Sequence, residues 1–161
     1  MDTIILGVGD YGVSNKAGGG IKTYALGSCV ALILYDPRKK TAGMAHIALP
    51  DSSIRKERAA SKPGYFADTA ITSLIAAMSR LRGDSRRGLV AKLAGGANIM
   101  DAEGTFSIGS RNVAAVNDLL ARHGLSPLAQ DVGGQFSRTV TVNVDTGKVT
   151  LSSPGRKDWE L

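Results

Sequence analysis

Residues 29–48 read CVALILYDPRKKTAGMAHIA, two apolar runs separated by a polar turn that begins at Asp36-Pro37. Pro37 has no amide N–H and a fixed φ, so the chain cannot pass straight through it as one strand or one helix. If residues 29–35 and 42–48 pair as an antiparallel hairpin, which the pattern allows, the pairing carries a parity. With residues 36–41 as the turn, 35 faces 42 and 31 faces 46, and alternate side chains share a face. Ala31, Ile33 and Tyr35 then lie with Ala42, Met44 and His46. Position 29 falls opposite 48 and diagonal to 46. That puts Cys29 and His46 on one face, with backbones about 7–8 Å apart and side chains within reach. A register slip of one residue would send them to opposite faces.

The rest of the chain is short apolar runs punctuated by glycine, with two helical patterns between them. Residues 3–8 (TIILGV) read as a first strand, and residues 22–37 (KTYALGSCVALILYDP) as one extended segment. Residues 41–51 (TAGMAHIALPD) form the next, stopped by Pro50. Residues 51–63 (DSSIRKERAASKP) are polar and basic without a burying period and read as an exposed loop. Ala67, Ala70, Ile71, Leu74, Ile75, Met78 and Leu81 then mark one stripe of a helix that Gly83 ends. A strand over 88–96 precedes a second helix with Ser110 as candidate N-cap, an apolar face of Val113, Val116, Leu119 and Leu120, and Gly124 as its stop. Three more strands finish the chain. In the last pair Val140, Val142 and Val144 alternate with polar residues, and residues 145–147 (DTG) make the turn. Mixed strands with two main helices on one side predict an α/β layered fold, and 161 residues without repeat or linker predict a single domain over 1–161.

Composition narrows the function classes. The lone cysteine excludes an intramolecular disulfide and fits a reducing compartment. The opening MDTIILGVGD is too short an apolar run for a signal peptide or a spanning helix, so a cytoplasmic location without membrane insertion is expected. A net charge of +6 is spread over DPRKK, IRKER, RLRGDSRR and GRKDW, with 5% aromatic residues that do not interleave with the clusters. That pattern is a solvated surface, not a stacking platform for nucleic acid. A positive surface would still speed encounter with an acidic macromolecule in a salt-dependent way.

Two glycine motifs fail on context. Residues 7–12 (GVGDYG) match G-x-G-x-x-G, but VSNKAGGGIK follows where a dinucleotide site needs a helix to open on the pyrophosphate. GGGIKT places Ile21 between Gly20 and Lys22, where a phosphate loop requires Gly-Lys-Thr. No cofactor is expected. Metal is not expected either, since the soft ligands total Cys29, His46 and His123. His123 beside Gly124 is accounted for by a helix C-terminus, which favours a histidine.

That leaves His46 as the base available to Cys29. A thiol is only a few per cent thiolate at neutral pH, and an imidazole in reach can take its proton and return it to a leaving group, typically worth ~10²–10⁴ in rate. Gly27 removes bulk beside the sulfur, and the Cys29 N–H, with its neighbour at Ser28, could receive an oxyanion. Thr23 lies on the same side if the segment is extended and could orient the imidazole. On spacing alone, an unreactive buried cysteine and a reactive one both stand.

At GSCVALILYDP and GMAHIALP the chain resembles the chemoreceptor glutamine deamidases, the CheD family. LGSCV, YDP, GMAHIALP, YFADTAI, KLAGGANIM, IGSRNVAAVNDLL, QDVGGQFSR and DTGKVTL match the family's blocks in order along nearly the whole chain. The resemblance implies a layered α/β/β fold and a thiol–histidine–threonine set, which falls on Cys29, His46 and Thr23. It implies that Cys29 attacks the side-chain amide of a receptor glutamine, that His46 protonates the departing ammonia, and that water then releases glutamate from a thioester. A glutamate methyl ester would follow the same route. The implied substrate is the cytoplasmic helical region of a chemotaxis receptor, and in some members a CheC-type phosphatase is a partner. The basic loop at 51–63 is then expected to meet the acidic receptor surface. Two rivals are a cysteine hydrolase or acyltransferase acting on a small amide, and a non-catalytic adaptor that docks on receptors or a phosphatase.

Overall fold

The computed structural model describes residues 2–83, 88–99 and 107–161, so the basic cluster at 80–87 lies partly outside the described residues. Its strands are β1 (Thr3–Leu6), β2 (Tyr11–Ser14), β3 (Gly20–Leu26), β4 (Val30–Asp36), β5 (Thr41–Ile47), β6 (Val90–Gly95), β7 (Pro127–Val132), β8 (Arg138–Asn143), β9 (Val149–Ser152) and β10 (Trp159–Glu160). Its helices are α1 (Lys56–Ser61), α2 (Ala67–Arg82) and α3 (Ile108–Arg122).

The strands divide into two five-stranded sheets, ordered β1-β3-β8-β9-β10 and β2-β5-β4-β6-β7. Each is antiparallel except for one parallel pair, β1 with β3 and β6 with β7. Every residue of β4 and β5 is buried, as befits central strands covered on both faces. One face, with Leu32, Leu34, Ala45 and Ile47, packs on Ile71, Leu74 and Met78 of α2 and on Val116 and Leu120 of α3. The opposite face, with Ala31, Ile33, Tyr35 and Met44, packs on Ile21, Val140, Val142 and Leu151 of the other sheet. The layers are therefore helix, sheet, sheet: the expected α/β fold, with its two main helices on one side.

The β4–β5 hairpin has the register that its parity predicts, with Tyr35 opposite Ala42 and Ala31 opposite His46. Its turn is held by Asp36, whose carboxylate accepts from Arg38 N and Lys39 N at 3.0 and 3.2 Å and pairs with the buried Arg82 at the end of α2. The α2 stripe holds at Ala67, Ala70, Ile71, Leu74 and Met78, with Ile75 partly buried, and the helix stops at Gly83, but Leu81 is exposed and Ala77 and Arg82 are buried instead.

Three readings need correction. Residues 22–37 are not one segment: the chain leaves the first sheet after Leu26, bends through residues 27–29 and enters the second sheet at Val30. A register shift between Thr23 and Leu26, with Ala25 in the left-handed region (φ 53°), starts that departure. Extra twist of this kind is what a β-bulge supplies. Residues 51–63 are not wholly irregular, because they contain α1 between two single 3₁₀ turns. None of its residues is buried, so there is no apolar stripe to read. Finally, α3 starts at Ile108, two residues before the expected cap Ser110, which lies inside its first turn.

Candidate active site

Thr23 and His46 meet between the two sheets, and Cys29 lies in the bend that joins β3 to β4. Thr23 ends the regular part of β3, His46 lies near the end of β5, and Cys29 closes the bend just before β4. Thr23 is fully buried and His46 is 3% exposed, whereas Cys29 is only partly covered and packs on the core between the sheets. A side chain from each sheet thus faces the gap that the thiol borders.

Proton bookkeeping at Thr23 defines the imidazole. Thr23 Oγ1 donates to the Leu6 carbonyl at 2.9 Å, and it lies 2.6 Å from His46 Nδ1. A hydroxyl has one proton to give. With that proton on Leu6, the second contact is an N–H donated by Nδ1 to the hydroxyl, and Nε2 carries the free lone pair. Nε2 is buried and has no hydrogen-bond partner among the described residues. An orphaned acceptor of this kind costs folding free energy, about 1–3 kcal/mol, and marks a group held for another purpose.

Burial dominates the protonation of both groups. It drives the His46 imidazole from its ordinary 6.5 down to about 4, with the Asp10 carboxylate pulling it up and the Lys62 ammonium pushing it further down. Burial also raises the Cys29 thiol above its ordinary value. Both shifts favour the uncharged forms, a neutral thiol and a neutral imidazole, over a preformed ion pair. Such a pair works by proton transfer during attack, when the imidazole acts as a general base.

The bend itself is held from behind. Its three consecutive carbonyls all accept from the protein: Gly27 O from Ala97 N (2.8 Å), Ser28 O from Asn112 Nδ2 (2.9 Å) and Cys29 O from Gly96 N (2.8 Å). In a planar trans peptide the N–H points away from the carbonyl, so the amide hydrogens of Ser28 and Cys29 are turned to the other side. Gly95 is needed for this grip, because it has φ 112° and a Cβ there would collide with the Cys29 carbonyl. Gly27 is different: among the described residues a Cβ there would meet only Ile99 Cδ1, at an ordinary 3.7 Å.

Asn112 is the functional residue that sequence reasoning missed. Fully buried on α3, it donates through Nδ2 to Ser28 O and to Ala48 O, both at 2.9 Å. One amide thus ties the cysteine bend to the strand end that follows His46. The signal was present, since Asn112, Val116 and Leu120 follow one another at i, i+4 and i+8 on the buried stripe. A polar residue in an apolar stripe is costly unless hydrogen-bonded, and Nδ2 is so twice over, while Oδ1 finds no partner among the described residues.

The chain is similar to a family described as CheD, chemotactic sensory transduction, whose model matches residues 48–153. That stretch begins two positions after His46, but relatives span the site as well. A probable chemoreceptor glutamine deamidase CheD from Syntrophotalea carbinolica is 49% identical over 162 residues, covering 100% of both chains. One from Syntrophus aciditrophicus is 39% identical, also over 100% of both. The chemoreceptor glutamine deamidase CheD of Thermotoga maritima is 41% identical over 151 residues, 94% of this chain and 92% of that one.

Proposed function

The chain belongs to the CheD family, and on that footing we propose that it is a cysteine hydrolase that deamidates glutamines of chemotaxis receptors to glutamate. One observation carries the chemistry: Thr23 holds the Nδ1–H of His46 and leaves Nε2, buried beside the bend that carries Cys29, unpaired among the described residues.

The Cys29 sulfur attacks the carboxamide carbon of a substrate glutamine while His46 Nε2 takes the thiol proton. The oxyanion of the tetrahedral adduct accepts from the N–H groups of Cys29 and Ser28, which the rear grip on their carbonyls keeps aimed outward. His46 returns the proton to the nitrogen, the C–N bond breaks, and ammonia leaves a thioester. Water gives a proton to His46 and its oxygen to the acyl carbon, and the proton goes back to sulfur as glutamate is released. A γ-methyl ester differs only in losing methanol. Open space at Gly27 lets a side chain borne on a helix reach the sulfur, and no step requires a metal or an organic cofactor. The modified helices are those on the receptor's cytoplasmic side, and the enzyme acts there. A CheC-type phosphatase is a second partner on the family pattern. No described helix is long and apolar enough to cross a membrane.

The direct test is mass spectrometry of receptor cytoplasmic fragments after incubation with the protein. The expected product carries glutamate in place of specific glutamines, with ammonia released in equal amount. Cognate receptor fragments left unmodified at equimolar protein would refute the deamidase reading.

The basic segment before α2 supplies the docking charge. Arg55, Lys56 and Arg58 are exposed around α1, Arg58 lies over the Tyr65 ring at 5.2 Å, and Ile54 is 70% exposed beside them. Reversing all three charges to glutamate should slow deamidation about ten-fold at low ionic strength, because steering of this kind is screened by salt. The deficit should close as salt is added. Equal rates for both proteins at low salt would remove this segment from the docking surface.

A further inference from the structure

The segment GVGDYG, which binds no nucleotide by its context, brackets the catalytic histidine. His46 N donates to Asp10 O and His46 O accepts from Gly9 N, both at 2.9 Å, so both backbone groups of His46 are held by this turn. The turn is shaped by the Asp10 side chain, whose Oδ2 accepts from Gly7 N at 2.8 Å. Its other oxygen pairs with Lys62 Nζ at 3.0 Å, and the same ammonium donates to Val8 O at 3.1 Å. Gly9, at φ 83°, lets the Tyr65 ring and the Lys62 stem press directly on the turn: a Cβ there would stand 2.8 Å from the ring. Lys62 follows α1 and so fastens the substrate-side segment to the histidine strand.

We propose that Asp10 and Lys62 are positioning residues for His46, an ion pair that clamps the 7–10 turn on its backbone and sets one charge of each sign next to it. The inference rests on His46 being the base of the proposed reaction. Its electrostatic content has a sign. The carboxylate of Asp10 favours the imidazolium and the ammonium of Lys62 opposes it. Burial opposes the charge on Asp10, but the Gly7 N–H and Lys62 outweigh it and hold the carboxyl below its ordinary range. The two charges act on the imidazole in opposite senses, and removing either should shift His46 in a defined direction. Among the described residues few other groups compete. The bend before β4 presents Cys29, β3 presents Thr23 with Lys22 turned to the outer face over Tyr24, and the turn after α1 presents Tyr65 on Gly9. Helices α2 and α3 pack on the opposite face of β5.

The test is an NMR titration of the His46 ring in the full chain, which has only one other histidine to assign, through His123→Gln. Lys62→Met keeps an unbranched stem on Gly9 and leaves Asp10 uncompensated, so the midpoint should rise by roughly half a pH unit. Asp10→Asn should lower it by a similar amount, and the double variant should return close to wild type. Lys62→Arg, which keeps the charge, should leave it unmoved. The acid limb of the deamidation pH–rate profile should follow the same pattern. Loss of packing alone cannot produce shifts of opposite sign that cancel when combined. If Lys62→Met moves the midpoint downward or not at all, or if both single variants move it the same way, the proposal is overturned. Should Asp10→Asn fail to fold, the two Lys62 variants still decide it. Absence of deamidation in the wild type would refute the preceding reading and leave the titration result standing.

Discussion

Cys29→Ala will fold as the wild type does and will lose deamidation by at least ~10³-fold, the scale on which a covalent nucleophile is missed. Folding survives because the side chain carries no structural bond: the bend is held through the backbone carbonyls of residues 27, 28 and 29, all of which an alanine retains. The residue is also only partly buried, so truncating it opens little cavity. Cys29→Ser will be nearly as inactive, since a hydroxyl is far harder to deprotonate than a thiol and His46 is itself a weak base in its buried setting. Thermal unfolding together with the mass-spectrometric assay checks both halves, and a rate within ten-fold of wild type would discard Cys29 as nucleophile. The neutral resting pair has its own signature. Because burial raises the thiol, alkylation of Cys29 by iodoacetamide should keep accelerating through the alkaline range in which ordinary thiols titrate. A plateau already reached near neutral pH would instead reveal a thiolate–imidazolium pair at rest.

What made this site legible was a pattern repeated at short range. Pro37 and two apolar runs set the hairpin, its parity set the register, and the register put His46 on the face that looks into the gap between the sheets. The α2 stripe was equally clear because it repeats over sixteen residues. Elements that lack repetition were not legible. Tyr11–Ser14 is half-buried at every position and shows no alternation, and Trp159–Glu160 is only two residues long. The change of sheet after Leu26 depends on a partner 114 residues away, since Ala25 N donates to Thr139 Oγ1 at 3.1 Å. Periodicity is blind to contacts of that separation. Asn112 and the Asp10–Lys62 pair escaped for the same reason, as each ties segments that are adjacent only once the layers have closed.

Thr23→Val tests whether the histidine's proton is placed by design. The substitution keeps the shape and removes the hydroxyl, which leaves the Leu6 carbonyl without its donor and His46 Nδ1 without its acceptor. Two buried groups then lack partners, a cost of about 1–3 kcal/mol each that should appear as a lower Tm. The larger effect is on catalysis. Nothing then favours the Nδ1–H tautomer, and the form with its proton on Nε2 cannot accept from the thiol. A loss of about 10²–10³-fold in kcat with little change in KM is expected, because the substrate does not touch Thr23 and only the transition state uses the oriented lone pair. Thr23→Ser, which restores the hydroxyl, should recover most of the rate, though it loses a methyl group from a fully buried site. Nitrogen NMR of the imidazole separates orientation from simple destabilisation: the wild type and Thr23→Ser should show the proton on Nδ1, and Thr23→Val a mixture. If Thr23→Val keeps the proton on Nδ1 and turns over at the wild-type rate, the hydroxyl is a structural bond to Leu6 alone, and the catalytic set reduces to Cys29 and His46.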